Sequence, residues 1–322
     1  MQARFDAWAG VDVSVAEIEA ELARLRESEP GEDRGPRQRT SVMTHVAWVP
    51  PEWLEAAERT LEGMAARHPS RTVLLVPEPG REGGIDAQLS VRYFSAGDRE
   101  ICGEVIELRL HGDRVRAPAS IVVPLAIADL PLFLRWRGEP AFASGHWLEL
   151  VDLADRVIVD SSEWEELRYG ELADVFAKTA VSDIAWARLY PWRVELARHW
   201  PAIRDQEIGV RGPRADATLL RAWLGARLQR ELAAIEVSDA LGVRLGGEEI
   251  FPSEEPPRSP SDLQSAELDR AGRDPIYEEA GGRCTTFAGD PPAPGEPFLA
   301  TNGALHAETI AFLEPGPGTA GG

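Results

Sequence analysis

The stretch "TSVMTHVAWVP" (residues 40–50) is a nearly continuous apolar run, and it indicates the fold class more clearly than any other segment. A run of this kind predicts a strand that is covered on both faces of its sheet. Pro51 and Glu52 suit the first turn of a helix, and apolar residues recur at helical spacing over 54–68. A second apolar run, "SRTVLLVPEP" (70–79), predicts another buried strand. A strand, a helix and a strand with short connections favour a parallel pair with a right-handed crossover.

The next two strands have a different pattern. In "AQLSVRYF" (87–94) apolar and polar residues alternate, and they alternate again in "EICGEVIELRL" (100–110). The stretch "SAGD" (95–98) between them supplies a turn. Alternation of this kind leaves one face of each strand in solvent, so we expect an antiparallel hairpin at the edge of the sheet.

Helices and strands alternate again over residues 119–200. "DIAWARL" (183–189) fits either a strand or a short helix capped by Asp183. The remaining segments predict helices at 119–130 (interrupted by Pro124), 146–154, 163–180 and 191–200, and strands at 131–138 and 156–162. This rhythm predicts an α/β fold with three layers and a mixed, mostly parallel sheet that includes the antiparallel hairpin.

Changes in the pattern of apolar and polar residues divide the chain into three predicted parts. Residues 1–39 predict a short helix and a polar linker, and Ser14 and Glu17 of that helix have the spacing of a capping box. Residues 40–210 form the predicted α/β domain. Residues 211–322 predict a smaller α+β domain that closes with a Pro- and Gly-rich end.

Composition limits the classes of function. The chain has 322 residues, 43% of them hydrophobic, and a formal net charge of −20, which indicates a globular protein with an acidic surface. Such a surface repels nucleic acid and anionic lipids, and the short "RGPRQR" (34–39) lies in the linker, so we expect neither partner. No apolar stretch is long enough to cross a bilayer and no signal peptide pattern opens the chain, which predicts a cytoplasmic protein.

The two cysteines, Cys102 and Cys284, lie far apart without metal-like neighbours. Reduced thiols are the simplest expectation, and a regulatory bridge between the two stays open.

The common catalytic motifs are missing from the sequence. The turn after the first strand reads "VPPEW" (49–53), where a dinucleotide would require glycines. The chain also lacks a P-loop lysine and a G-x-S-x-G elbow, and its six histidines do not have metal-ligand spacing. "VDSSEW" (159–164) stands where doubly wound folds place ligands, but it fits an ordinary helix cap. We therefore expect no cofactor, no metal and no enzymatic activity.

An ordered set of motifs resembles a known family. The set comprises "RTSVMTHVAWVP" (39–50), "HPSRTVLLVPEP" (68–79), "GEVIELRL" (103–110), "SIVVPLAIADLPLFLRWRGEP" (120–140), "DLADRVIVDSS" (152–162) and "SDIAWARLYPWR" (182–193). Over roughly residues 38–200 it is similar to the OpcA family, the glucose-6-phosphate dehydrogenase assembly proteins of actinobacteria and cyanobacteria. The resemblance implies a non-catalytic protein of the oxidative pentose phosphate pathway. Such a protein binds the dehydrogenase and favours its active oligomer.

A protein with that role needs an interface, and aromatic and arginine side chains are the usual anchors of one. The candidate interface residues are Arg135, Trp136, Asp183, Trp186, Arg188, Tyr190, Trp192 and Arg193. Two other interpretations stay open. The tryptophans could pack between sheet and helices while Arg188 or Arg193 pairs with an aspartate, Asp160 or Asp183. Alternatively, Arg188 and Arg193 could bind the anion of a sugar phosphate in an enzyme or sensor of the same pathway. We expect Trp186 to face inward, and Trp192 and Arg193 to be the better interface candidates.

Overall fold

The structure is a computed structural model, and it describes residues 5–27, 37–38, 41–64, 67–96, 99–176, 178–252, 258–269, 282–285 and 299–302. The chain divides into two compact units, Met1–Ser265 and Ala266–Gly322. None of the helices in these ranges is both long enough and apolar enough to cross a membrane.

A nine-stranded sheet organises the first unit. Its strands are β1 (Phe5–Gly10), β2 (Arg37–Gln38), β3 (Thr44–Trp48), β4 (Arg71–Glu78), β5 (Ile85–Ala96), β6 (Arg99–His111), β7 (Leu132–Trp136), β8 (Arg156–Val159) and β9 (Ala180–Asp183). The order across the sheet is β1-β5-β6-β4-β3-β7-β8-β9, and β2 pairs with β6 in parallel. All neighbours from β6 to β9 are parallel, whereas β5 is antiparallel to both β6 and β1.

This order confirms the predicted α/β class and the antiparallel hairpin. The chain starts the parallel part at its centre with β3, adds β4 and β6 on one side, and then adds β7, β8 and β9 on the other. That is the doubly wound arrangement, whose direction reverses between β3 and β7. The hairpin does not form the edge as predicted, because β1 pairs with β5 and lies outside it, with Trp8 opposite Leu89.

Two helical layers cover the sheet. The helices are α1 (Val15–Glu27), α2 (Leu54–Met64), α3 (Ala119–Leu125), α4 (Gly145–Leu153) and α5 (Tyr169–Phe176). Val46 and Trp48 of β3 belong to a core that includes residues of α1, α3, α4 and α5, while Ala47 and Val49 belong to a core with α2. Because successive side chains of a strand point to opposite faces, burial on both faces explains the continuous apolar run at 40–50.

The region after β8 corrects the predicted helix at 163–180. A single turn of 3-10 helix covers Ser161–Glu163, α5 covers only Tyr169–Phe176, and β9 starts at Ala180. The predicted helix is interrupted after this turn, where the backbone N–H groups of Glu165 and Glu166 donate to the Glu139 side chain at 3.1 and 3.0 Å and not to a preceding helical turn.

"DIAWARL" is helical, which selects one of the two interpretations that the sequence left open. Helix α6 covers Ile184–Arg188, and Asp183 is its N-cap, accepting the backbone N–H of Ala185 at 2.9 Å. Helix α7 follows at Tyr190–Arg198. At the N-terminus, Ser14 and Glu17 form the predicted capping box at the start of α1.

A smaller sheet follows in the same unit. It consists of β10 (Ile208–Gly212), β11 (Glu236–Val237), β12 (Gly242–Leu245) and β13 (Glu248–Ile250) in the order β11-β10-β12-β13, with helix α8 at Arg214–Leu228. Its core runs from Leu189 to Leu245, and the predicted domain boundary after residue 210 falls inside β10.

Helix α9 spans Pro260–Leu268 and therefore crosses the division between the two units. In the second unit β14 (Gly282–Thr285) pairs antiparallel with β15 (Leu299–Asn302). The side chains of Cys102 and Cys284 lie outside what the structure describes, so the expectation of reduced thiols is untested and the alternative of a bridge stays open.

Candidate functional site

The crevice outside the carboxyl ends of β3 and β7 is where doubly wound folds bind their ligands. Here aromatic residues of the chain itself stand at the ends of both strands. Trp48 and Trp136 end these two strands, and their rings stack with centroids 4.9 Å apart and planes at 9°. His146 of α4 stacks on Trp48, also at 4.9 Å. Both tryptophans are at most 4% exposed, so neither offers its ring to a ligand in this crevice, which we call the β3–β7 crevice.

Charged groups in the β3–β7 crevice also pair with one another. Glu163 accepts hydrogen bonds from Arg135 Nη2 at 2.8 Å, from Arg137 Nη1 at 2.7 Å and from the backbone N–H of Gly138 at 2.9 Å. Arg137 also donates to Thr60 Oγ1 at 2.8 Å, and burial lowers its pKa from the ordinary value. Both guanidinium groups thus pair with one carboxylate of the same chain, which fixes their positions.

The loops around the crevice approach each other closely. Gly138, just after β7, has a φ of +74°. A Cβ atom there would lie 3.3 Å from Nε1 of Trp53, in the turn that follows β3. Glycine is therefore needed at 138 for both its backbone conformation and the available space. The loop after β7 therefore packs closely against Trp53 of the same chain.

Asp183 is a structural residue at the carboxyl end of β9. Its Oδ1 accepts the backbone N–H groups of Ser161 at 3.0 Å and Ala185 at 2.9 Å, and the residue is 6% exposed. Burial raises the pKa of Asp183 to about 6. Its side chain joins the loop after β8 to helix α6.

Arg188 binds two aspartates of its own chain. Its Nη2 lies 3.2 Å from Asp160 Oδ2, and its Nη1 lies 3.0 Å from Asp216 Oδ1 on α8. Burial raises the pKa of Asp216, and Arg188 opposes that shift. The ion pairs connect the end of β8 to α6 and α8, in agreement with the structural interpretation of Arg188. The side chain is 39% exposed, so one side of it still faces solvent.

Arg193 corrects the expected orientation of the segment. Its guanidinium carbon lies 3.9 Å from the ring centroid of Trp186 and 5.8 Å from that of Tyr190, and the residue is only 6% exposed. A cation over the face of an indole is held by the ring quadrupole. Arg193 was expected to face outward, but this stacking keeps it inside. Trp186 and Trp192 are half-buried against the core of the smaller sheet, and Tyr190 is 50% exposed.

The eight candidate interface residues therefore separate into two sets. Four are buried by contacts within the chain and are withdrawn as interface residues: Arg135, Trp136, Asp183 and Arg193. Four keep exposed or half-buried surface and remain candidates: Trp186, Arg188, Tyr190 and Trp192. Arg188 and Arg193 do not converge on a cleft, because one lies between two aspartates and the other beneath an indole.

Two surface features were missed in the sequence. Residues 188–230 carry nine arginines against four carboxylates, although the net charge of the whole chain is −20. These arginines are spaced along helices and do not form a run, so they are not conspicuous in the sequence. Trp200, just after α7, is 57% exposed. Counting charge in windows of helical length would have revealed the first feature.

Comparison with known proteins gives the family context. Residues 62–174 match the OpcA family model, described as "Glucose-6-phosphate dehydrogenase subunit N-terminal domain". A protein from Synechocystis sp. is 30% identical over 182 residues, which is 52% of this chain and 38% of the relative. Similar proteins from Nostoc punctiforme (29% over 189 residues; 53% of this chain, 40% of the relative) and Synechococcus elongatus (27% over 183 residues; 51% and 41%) also match. All three are named OpcA, and their names assign them provisionally to the OxPP cycle.

The matches cover part of the molecule only. The similar region spans about two fifths of the length of these curated relatives, at 38%, 40% and 41%. The segment 62–174 runs from the last turns of α2 to α5. It includes β7 and Glu163 of the β3–β7 crevice, and it ends before the arginine-rich segment 188–230.

Proposed function

Because residues 62–174 of this chain carry the domain of the OpcA family, we propose that the protein is a non-catalytic assembly factor for glucose-6-phosphate dehydrogenase. It binds the dehydrogenase and favours the active oligomer, and so supports the oxidative pentose phosphate pathway. The match of that segment to a family described as a glucose-6-phosphate dehydrogenase subunit domain is the observation that carries the proposal. The names of the three relatives agree with it.

The β3–β7 crevice supports the non-catalytic part of the proposal. A doubly wound enzyme binds cofactor or substrate at this place. In this protein the stacked rings of Trp48 and Trp136 and the buried ion pairs of Glu163 take up that position.

The physical basis of the activity is a difference in affinity. A protein that binds the active oligomer more tightly than the inactive form shifts the population by the ratio of the two affinities. It needs an interface of about 800 Å² on each partner, with a few aromatic or arginine anchors near its centre. The exposed side of α6 and α7, with Arg188 and Tyr190, supplies such groups.

A sugar-phosphate enzyme or sensor has less support. That alternative requires Arg188 and Arg193 to bind one anion together. Arg188 is already paired with Asp160 and Asp216, and Arg193 is buried over Trp186.

Co-expression with the dehydrogenase of the same organism tests the proposal. Gel filtration should show a complex that contains both chains, and the dehydrogenase should be more active or more highly assembled with the protein than without it. An unrelated NADP-dependent dehydrogenase is the control and should elute alone. Separate elution of the two chains, with unchanged dehydrogenase kinetics, would contradict the proposal.

A further inference from the structure

An open apolar groove lies beside the arginine-rich segment, between α7 and α8. Its volume is about 420 Å³, and Leu196, Ala197, Trp200, Trp223, Leu224 and Leu228 line most of it. We propose that this groove, the α7–α8 groove, docks an acidic amphipathic helix of glucose-6-phosphate dehydrogenase; the inference rests on the proposed function.

The residues around the groove have the composition of an interaction surface. Trp200 is 57% exposed, although tryptophan normally buries most of its area. Tyr190 is 50% exposed and stands seven residues before Ala197, so both lie on one face of α7, two turns apart. Exposed tryptophan and tyrosine beside a groove are the side chains that most often anchor protein partners.

Leucine-sized side chains suit the floor of the groove. Leu196 and Leu224 are at most 2% exposed and belong to the core of the smaller sheet, which makes that floor rigid. Apolar residues of a helix recur at three- and four-residue spacing, and they would enter a groove that runs between two helices. An apolar floor of this kind gives no hydrogen bonds to bases or phosphates, which disfavours nucleic acid as the occupant.

The positive charge at the rim of the α7–α8 groove indicates which polar residues the docked helix should carry. Arg227 lines the groove, and the guanidinium of Arg204 lies 5.5 Å from the ring centroid of Trp200. Both arginines are exposed, so they place positive charge at the rim of the groove. Complementary charge across an interface steers association and suppresses wrong partners. A helix with glutamates or aspartates beside its apolar stripe therefore fits this rim.

A second copy of this chain fits the groove less well. The commonest dimers use the same patch on both subunits. Such a dimer would place one arginine-rich segment against the other, and like charges facing each other are unfavourable.

Substitutions at Ala197 test the inference. Ala197 is exposed on α7 and lines the groove, so a longer side chain there obstructs the groove without disturbing the core. Ala197→Glu adds bulk and a negative charge, Ala197→Lys adds similar bulk with a positive charge, and Ala20→Glu at an exposed position of α1 is the matched control. Affinity for the purified dehydrogenase is measured by calorimetry with the full chain, and the oligomeric state of each variant is measured by light scattering.

We expect Ala197→Glu to weaken binding at least about 30-fold, the loss typical of an interface anchor. Ala197→Lys should weaken it clearly less, because its charge attracts the acidic helix, and Ala20→Glu should bind as the wild type does. Equal binding by Ala197→Glu and Ala20→Glu would overturn this inference and leave the proposed function standing. Absence of binding by the wild type would overturn both. A wild-type dimer that Ala197→Glu dissociates, with unchanged dehydrogenase binding, would assign the groove to a second copy instead.

Discussion

The β3–β7 crevice and the α7–α8 groove contain the same kinds of side chain and have opposite surroundings. In the crevice Trp48 and Trp136 stack on each other, and Arg135 and Arg137 share the carboxylate of Glu163. In the groove Trp200 remains 57% exposed. Tryptophan and arginine therefore do not mark an interface by themselves. The presence of stacking rings and a buried carboxylate within the same chain distinguishes a filled ligand site from a surface that can receive a partner.

Replacing Trp136 should have the largest effect on stability. Trp136 is 2% exposed and contacts the rings of Trp48 and Trp147, so Trp136→Ala removes a large buried side chain and leaves a cavity. We expect a loss of about 3–5 kcal/mol in the free energy of unfolding, measured with urea. Trp200→Ala is the control and should lose less than about 1 kcal/mol. Similar losses for the two variants would contradict the distinction between crevice and groove.

Removing the charge of Glu163 should have the second-largest effect on stability. Glu163→Gln keeps the size of the side chain but leaves Arg135 and Arg137 buried without a neutralising carboxylate. We expect a loss of about 3 kcal/mol in the same measurement. Glu165→Gln, two residues further at an exposed position, is the matched control and should change stability by less than about 0.5 kcal/mol. A loss below about 1 kcal/mol for Glu163→Gln would show that the ion pairs do not hold the crevice closed.

Asp183 should make stability depend on pH. Its pKa is raised from 3.8 to about 6 because burial disfavours the charged form. Because the folded state favours the protonated side chain, Asp183 contributes to the free energy of unfolding below pH 4. That contribution is lost as the pH rises through 6. Asp183→Asn cannot titrate and keeps an oxygen that can accept the N–H groups of Ser161 and Ala185. The free energy of unfolding of the variant should therefore rise relative to wild type by about 2–3 kcal/mol between pH 4 and pH 8.

Both proteins must be compared at each pH, because His45 acts in the opposite direction. Its pKa is lowered from 6.5 to about 4, mainly by burial and then by the positive charges of Arg135, His68 and Arg137. The folded state favours neutral His45, so this residue contributes to the free energy of unfolding above pH 6.5. That contribution is lost as the pH falls from 6.5 to 4. The same loss occurs in wild type and variant, so it cancels in their difference. A difference that stays constant from pH 4 to pH 8 would refute the assignment of the titration to Asp183.

Tyr190→Ala should have the smallest effect on stability. Tyr190 is 50% exposed, so we expect its loss to change the free energy of unfolding by less than about 1 kcal/mol. Binding to the dehydrogenase should weaken about tenfold, because this side chain extends the exposed face of α7. Thermal melting and calorimetry measure the two effects. Unchanged binding would exclude Tyr190 from the interface, and a large fall in melting temperature would show that it belongs to the core.

The main sheet could be predicted from the sequence, because a strand that is buried on both faces appears as a continuous apolar run. Each side chain of β3 is buried, and the run at 40–50 is apolar for that reason. By contrast, β1 was missed because its partner, β5, lies about 80 residues further along the chain, and short apolar stretches do not reveal such pairing. The break in the predicted helix at 163–180 coincides with contacts to the Glu139 side chain, which lies 26 or 27 residues earlier and which local residue patterns do not reveal.

The sequence predicted which types of residue the candidate site contains, but not which of them are buried. Arg135 and Arg193 stand beside tryptophans in the sequence, as interface arginines often do. Their burial depends on Glu163, 28 residues from Arg135, and on the way α6 and α7 fold back so that Trp186 covers Arg193. The α7–α8 groove likewise requires two helices that a strand separates in the chain. Such contacts between distant segments cannot be read from local spacing.

Binding of this chain to glucose-6-phosphate dehydrogenase is the most direct test of the central claim. The purified dehydrogenase of the same organism is titrated with the protein, and its mass by light scattering and its activity are recorded at each step. We expect a complex of defined stoichiometry, with an increase in the active oligomer that saturates at that stoichiometry. A dehydrogenase whose mass and activity stay the same at every concentration would contradict the account.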